Sequence, residues 1–175
     1  MDTLWVFGYG SLIWDPGFTV SEQEIARLEG FHRSFCMWSI HHRGTQEDPG
    51  LVLALDAAET FCDGVAFRAA EPEAALEYLR ERELVSSAYL EEWHDITLRD
   101  GRRVSAVCYV INRDHVQYCG DLTLERQAQV IASAVGGRGP NTEYLFNTAK
   151  HINDLGLPDA DLDWLYDRVK ALTGG

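Results

Sequence analysis

Apolar positions along the chain fall into two patterns: short continuous runs, and stripes spaced three and four residues apart. The two patterns predict different elements. Leu4-Trp5-Val6-Phe7 is a short apolar run ended by Gly8-Tyr9-Gly10-Ser11, which predicts a buried strand entering a tight loop. Asp15-Pro16-Gly17 marks a turn. Phe31 to Trp38 is aromatic-rich and strand-compatible, and Leu51 to Leu55 is continuously apolar, as in a strand covered on both faces. Gly64 to Arg68 and Val104 to Ile111 predict two more strands. His94 to Leu98, followed by Asp100-Gly101, predicts a hairpin with the latter.

Helical spacing appears in four places. Glu71 to Glu83 carries Pro72 near its first helical position, where a missing N–H costs little. Thr123 to Val135 is stopped by Gly136-Gly137. Asn141 predicts an N-cap for a helix through Leu155. Asp159 to Leu172 places Leu162, Leu165, Tyr166, Val169 and Leu172 on one face. Strands interrupted by helices, without regular βαβ alternation, predict an α+β architecture. The expected arrangement is one domain over residues 1–175, with a closed or strongly curved strand core and helices packed around it.

Composition narrows the function classes. At 175 residues, with 46% hydrophobic and 25% charged side chains, the chain has the profile of a globular domain with a continuous core. A net charge of −13 excludes a general affinity for nucleic acid or an anionic membrane, both of which need clustered Lys and Arg. A small anion can still be held by local donors. The N-terminus shows no basic segment followed by a long apolar one, and no apolar run approaches a bilayer span, so the expected location is cytoplasmic. Cys36, Cys62, Cys108 and Cys119 lie far apart with no CxxC pair, which predicts reduced thiols rather than a disulfide framework.

Four clusters could carry chemistry, and each has a plainer reading beside it. Successive N–H groups in Gly8-Tyr9-Gly10-Ser11 could cradle an anion, or the loop could simply be a turn needing unusual φ angles. It is neither a dinucleotide fingerprint, since Ile13 stands at the third glycine position, nor a nucleophile elbow. Glu83 falls between Leu76 and Leu79 on the apolar stripe of its helix, opposite Glu73, Glu77, Arg80 and Glu81. Burial and the negative end of the helix would both favour its protonated form and suit it to general acid/base work. Alternatively it is a last-turn glutamate bent out to water. Arg43, beside His41, His42 and Gly44, could grip a carboxylate or lie on a surface loop. Adjacent histidines on an extended segment face opposite ways, so they do not predict a metal site. Gly136 to Pro140 feeds a helix whose first turn holds Tyr144, a ligand contact or a packing residue.

Taken together and in order, these segments resemble a known family. Val6-Phe7-Gly8-Tyr9-Gly10-Ser11-Leu12-Ile13-Trp14 resembles the opening strand and substrate loop of the ChaC family. His42-Arg43-Gly44 resembles its HRG element, and Arg82-Glu83 followed by Tyr89 resembles its catalytic glutamate segment. Gly139-Pro140-Asn141-Thr142-Glu143-Tyr144-Leu145 resembles its C-terminal G-x-N-x-E-Y-L stretch. The matches span residue 5 to about residue 145. One departure is Ser87, where bacterial relatives often carry glycine.

The resemblance implies a γ-glutamylcyclotransferase fold, a small mixed β-barrel flanked by helices. It implies cleavage of reduced glutathione to 5-oxoproline and cysteinylglycine without a cofactor. Glu83 would be the general acid/base. Tyr9, Gly10, Ser11 and Leu12 would hold the γ-glutamyl moiety, with Arg43 and Tyr144 as further substrate contacts. The alternatives are a cyclotransferase for other γ-glutamyl amino acids or amines, and a non-enzymatic regulator of a cation transporter. A Cys-His hydrolase is more distant, because no cysteine sits in a recognisably activated setting. Nothing in the pattern fixes an oligomeric state.

Overall fold

The computed structural model describes residues 1–84, 87–157 and 159–174. They form two compact units whose segments alternate along the chain, Met1–Arg33 with Ala54–Val116 and Ser34–Leu53 with Gln117–Gly175. The strands are β1 (Trp5–Gly8), β2 (Val20–Ser39), β3 (Gly50–Ala69), β4 (Tyr89–Leu98) and β5 (Arg103–Ile111). They close a barrel in the order β1-β3-β2-β4-β5, with β3 also meeting β5. Pairing is mixed, as the family resemblance implies. β1 runs antiparallel to β3 and parallel to β5, and β4 and β5 form an antiparallel hairpin from Tyr89↔Ile111 to Thr97↔Arg103.

Two strands are longer than their apolar runs suggest. β2 begins at Val20, eleven residues before Phe31, because its first half alternates between exposed polar positions and the buried Ala26 and Leu28. β3 joins the two expected strands at Leu51–Leu55 and Gly64–Arg68 into one, since residues 57–61 between them stay extended and mostly open to water.

The first unit adds α1 (Pro72–Glu83), with Pro72 in its first turn and Ala75, Leu76 and Leu79 on the buried face. Its core gathers Leu4, Val6, Phe7, Phe67, Val107 and Tyr109, each at most 2% exposed. Gly64 allows a close backbone approach below the first loop, because a Cβ there would stand 2.3 Å from the Gly8 carbonyl oxygen.

The second unit holds α2 (Leu124–Ser133), a two-stranded ribbon of β6 (Val135–Gly136) and β7 (Gly139–Pro140), α3 (Asn141–Asp154) and α4 (Ala160–Leu172). Thr123 caps α2 by accepting from the Arg126 N–H at 3.1 Å, and Asp159 caps α4 by accepting from Leu162 at 3.0 Å. Val135, expected at the end of α2, lies in the ribbon instead.

Asn141 departs from its expected role as a cap: it is the first residue of α3, and its side chain is turned inward and fully buried. Its Nδ2 donates to the Leu51 carbonyl at 2.9 Å, and its Oδ1 accepts from the Leu51 N–H at 2.8 Å. One carboxamide thus gives β3 the donor and acceptor that a neighbouring strand would supply. Among the described residues no buried side-chain polar atom lacks a partner. No helix among them is long and apolar enough to cross a membrane.

Removing the Asn141 carboxamide strands both backbone groups of Leu51. Asn141→Ala is expected to cost roughly 2–6 kcal/mol, since each of the two unsatisfied buried groups costs about 1–3. Chemical denaturation of the variant beside Asn147→Ala, a change at an exposed position of the same helix, measures the difference.

Candidate active site

The loop after β1 is built from its own backbone. The Ile13 N–H donates to the Gly10 carbonyl at 2.9 Å and the Asp15 N–H to the Ser11 carbonyl at 2.9 Å, closing a short 3-10 turn over Ser11–Ile13. Beneath it lies Arg33, 8% exposed. Its Nη1 donates to the Tyr9 carbonyl at 2.6 Å and its Nη2 to the Asp63 carbonyl. A buried guanidinium therefore fixes Tyr9 by its carbonyl. Arg33 is not among the residues singled out from sequence, although it carries a signal there. On an alternating strand it shares a face with Phe31 and Phe35, where a charged side chain needs partners.

Glu83 ends α1 with its side chain 14% exposed. The helical spacing places it correctly on the inward stripe. Burial raises its pKa above the ordinary carboxylate value, and the neighbouring Arg82 charge pulls the other way without cancelling the effect. Arg82 is the second residue not singled out from sequence. Its Nε stands 3.4 Å from Glu83 Oε1. Its Nη1 donates to the Asp15 carbonyl at 2.8 Å and to the Tyr78 hydroxyl at 3.3 Å, and its Nη2 donates to Ser11 Oγ at 3.2 Å. One side chain thus ties the carboxylate to the turn. Nothing in the periodicity could have shown this, because Asp15 and Ser11 lie about seventy residues away in the chain.

A third group, on β5, interacts electrostatically with Glu83. The Tyr109 hydroxyl donates to Glu91 Oε1 at 3.0 Å, and Arg80 grips Glu91 through Nε and Nη2 at 2.9 and 3.0 Å. Burial, above all, raises the Tyr109 pKa, followed by the Glu91 hydrogen bond and the charges of Glu91 and Glu83. Arg80 in turn holds the Glu91 carboxyl below the usual range. Tyr109 therefore stays a neutral hydroxyl close enough to feel the charge of Glu83.

Among the expected site residues, the first unit brings together Tyr9, Gly10, Ser11, Leu12 and Glu83. Arg43 and Tyr144 belong to the second unit. The Arg43 N–H donates to Ser39 Oγ at 3.0 Å, and its guanidinium donates to the Pro140 carbonyl at 3.1 Å and lies 3.7 Å from Glu143. It also lies over the Tyr144 ring at 5.8 Å. The Tyr144 hydroxyl accepts from the Leu53 N–H at 3.2 Å, one repeat along β3 from the Asn141 contact. Gly136 lets the ribbon press against this segment, since a Cβ there would meet the Gly44 and Arg43 nitrogens at 2.4 and 2.5 Å.

The cysteines offer no nucleophile. Burial pushes the Cys108 and Cys119 thiols up to about 12, away from the thiolate. Ser87 has a φ of +60°, the left-handed region that favours glycine.

A family model described as ChaC-like protein matches residues 4–172. The glutathione-specific γ-glutamylcyclotransferase of Escherichia coli is 38% identical over 172 residues, covering 97% of this chain and 74% of that protein. γ-Glutamylcyclotransferase 2-3 of Arabidopsis thaliana is 34% identical, covering 95% and 88%. Human glutathione-specific γ-glutamylcyclotransferase 1 is 33% identical, covering 97% and 78%. Among solved structures, the yeast γ-glutamyl cyclotransferase specific to glutathione superposes with a TM-score of 0.86, covering 97% of this chain and 96% of that one. At 24% identity that likeness speaks for the fold. The barrel with its helices is the γ-glutamylcyclotransferase fold, and the chain belongs to the ChaC-like family.

Proposed function

We propose that the chain is a γ-glutamylcyclotransferase that converts reduced glutathione to 5-oxoproline and cysteinylglycine, with Glu83 as its general acid and base. The observation that carries the assignment of Glu83 is a carboxylate 14% exposed at the end of α1, bound through Arg82 to the Ser11 turn. The relatives in the same family carry this activity in their names and match almost the whole chain.

The substrate holds its own nucleophile. The α-amine of the glutamyl unit attacks the γ-carbonyl carbon, forming the C–N bond of a five-membered lactam. The bond between that carbon and the cysteine nitrogen breaks as the tetrahedral intermediate collapses. The ammonium must first lose a proton, and the leaving nitrogen must gain one, so a single carboxylate can take the first and return it as the second. The protein's main task is to fold the glutamyl chain so that amine and carbonyl meet. The Tyr9–Leu12 turn, held from below by Arg33, is the platform for that folding. Its N–H groups are suited to the developing oxyanion or a substrate carboxylate.

Burial matters to the base. An ordinary glutamate, near pKa ~4.3, is a weak acceptor for an ammonium proton, and a raised value narrows the gap. Arg43 and Tyr144 enter this reading as supports of the second unit, through Pro140 and the edge of β3. A cytoplasmic place accords with four cysteines that form no disulfide and with a thiol substrate.

Incubation with reduced glutathione in a chelating buffer, followed by mass spectrometry, is expected to give 5-oxoproline and cysteinylglycine in equal amounts. Cleavage of γ-glutamylalanine alone would move the substrate to the simpler γ-glutamyl amino acids. Glu83→Gln is expected to bind glutathione while kcat falls roughly 10²–10⁴-fold, the usual range for losing a general acid/base. The pH profile of kcat/KM should fall on the acid side through a pKa above the ordinary carboxylate range, because Glu83 must be ionised to accept the proton. The groups facing it are Arg82 on α1 and Tyr109 on β5.

Stability should show the same shift with a defined sign. Glu83 binds its proton more tightly folded than unfolded. Its contribution is therefore intact below the ordinary carboxylate value and lost as pH rises through the raised one. The Tm of Glu83→Gln is accordingly expected to match wild type at acid pH and exceed it at neutral pH. A neutral-pH Tm at or below wild type would argue that the carboxylate is not held at a cost.

A further inference from the structure

The proposed reaction assigns Glu83 to the substrate's ammonium and offers its other charge backbone N–H groups but no charged partner. The γ-glutamyl head carries an ammonium and a carboxylate on the same carbon. That carboxylate must settle beside Glu83 in a chain of net charge −13, near a tyrosine hydroxyl already bonded to Glu91. It needs a cation close to Glu83, and the first unit places three arginines around the turn and the end of α1. Arg80 is committed to Glu91 by two hydrogen bonds. Arg33 lies beneath the loop, its two terminal nitrogens donating to the Tyr9 and Asp63 carbonyls. Arg82 remains.

Arg82 is suited in three respects. It is partly open, with 20% of its side chain exposed beside a Glu83 that is 14% exposed. Its charge lies 3.4 Å from the Glu83 carboxylate, a spacing that suits the two charges of an α-amino acid head. Its guanidinium is held from one side, where Nη1 reaches the Asp15 carbonyl and the Tyr78 hydroxyl. Among the described residues, those two bonds, the contact with Ser11 and the ion pair with Glu83 engage four of its five N–H groups, leaving one on Nη2. Ser11 Oγ accepts from that same Nη2, so its own proton points elsewhere and can be donated.

We infer that Arg82 and Ser11 receive the α-carboxylate of the γ-glutamyl substrate while Glu83 takes the α-ammonium. Two successive residues at the end of α1 thus read the zwitterionic head. The inference rests on the γ-glutamylcyclotransferase reading and adds the recognition of the charged end to it. With both charges fixed, rotation about the α-carbon is stopped and the amine is aimed at the γ-carbonyl. The contact is therefore one of specificity and of alignment.

The test uses 4-aminobutanoyl-cysteinylglycine, which is glutathione with hydrogen in place of the α-carboxylate. Its amine can still close on the carbonyl, giving 2-pyrrolidinone and cysteinylglycine. The measurement is kcat/KM for both substrates with wild type, Arg82→Gln and Arg82→Lys. Wild type is expected to prefer glutathione by on the order of 100-fold, the scale for deleting one partner of a desolvated charge pair. Arg82→Gln should lose on the order of 100-fold on glutathione and only a few-fold on the analogue, so that the preference collapses. Arg82→Lys should recover part of it by restoring the charge without the fork.

The ratio of the two ratios cancels the different basicities of the two amines and any general damage to the fold. Equal losses on both substrates would make Arg82 a structural tie and overturn the inference, as would a wild type indifferent to the carboxylate. If Arg82→Gln does not fold, Ser11→Ala serves instead, with the same selective loss expected in smaller measure. A wild type that leaves glutathione uncut overturns the underlying activity and this inference together. A wild type that cuts glutathione with no coupling to Arg82 overturns the inference alone.

Discussion

A carboxylate held largely out of water, with an arginine charge beside it, is the constraint around which the first unit is organised. Burial alone favours the protonated form of Glu83, and a protonated acid cannot take a proton from an ammonium. Arg82, 3.4 Å away, restores part of what solvation would have supplied. A pair of this kind survives at low exposure only if each partner has its remaining valences satisfied. Arg82 meets that demand through Asp15, Tyr78 and Ser11, so the electrostatic balance at Glu83 also fixes the turn after β1. Charge tuning and loop placement are one arrangement.

The second unit solves a different problem with similar means. The backbone of β3 at Leu51 and Leu53 needs hydrogen-bond partners, and α3 supplies them with side chains. Asn141 serves both backbone groups of Leu51, and Tyr144 accepts from Leu53 two residues on. Arg43 then fastens the start of α3 by its bond to Pro140. The G-x-N-x-E-Y-L stretch thus works as a clasp on the strand. Motif residues in such a stretch can serve function indirectly, by holding backbone in place.

What the sequence disclosed divides along the same line. Elements with a strong local signal were legible: the apolar run of β1, the hairpin of β4 and β5, α1 with its proline, and Glu83 on the inward stripe. Strand lengths were not, because the first half of β2 and the middle of β3 are polar and extended, and hydrophobicity is a poor guide there. Arg33 was within reach of alternation, sharing a face with Phe31 and Phe35. Arg82 was not, since its meaning comes from Ser11 and Asp15, which sequence spacing cannot bring near it. The inward turn of Asn141 was hidden for the same reason. An asparagine ahead of a helix reads as a cap until the strand it faces is known.

The chain's overall charge places one more condition on this arrangement. Glutathione is itself an anion near neutral pH, and a protein of net charge −13 presents a field that does not draw it in. Exposed charges are screened beyond about 8 Å at physiological ionic strength, whereas buried or partly buried ones are screened far less. The potential that a substrate meets is therefore set by the groups nearest the turn, and these include Arg33, Arg80 and Arg82. Each is matched to oxygen acceptors in a fixed geometry, so the site needs little reorganisation when an anion arrives. Because the nucleophile belongs to the substrate, such a preset frame with one movable proton is sufficient for the chemistry. The acidic surface can then vary with little consequence for turnover, while the arginines around the turn cannot.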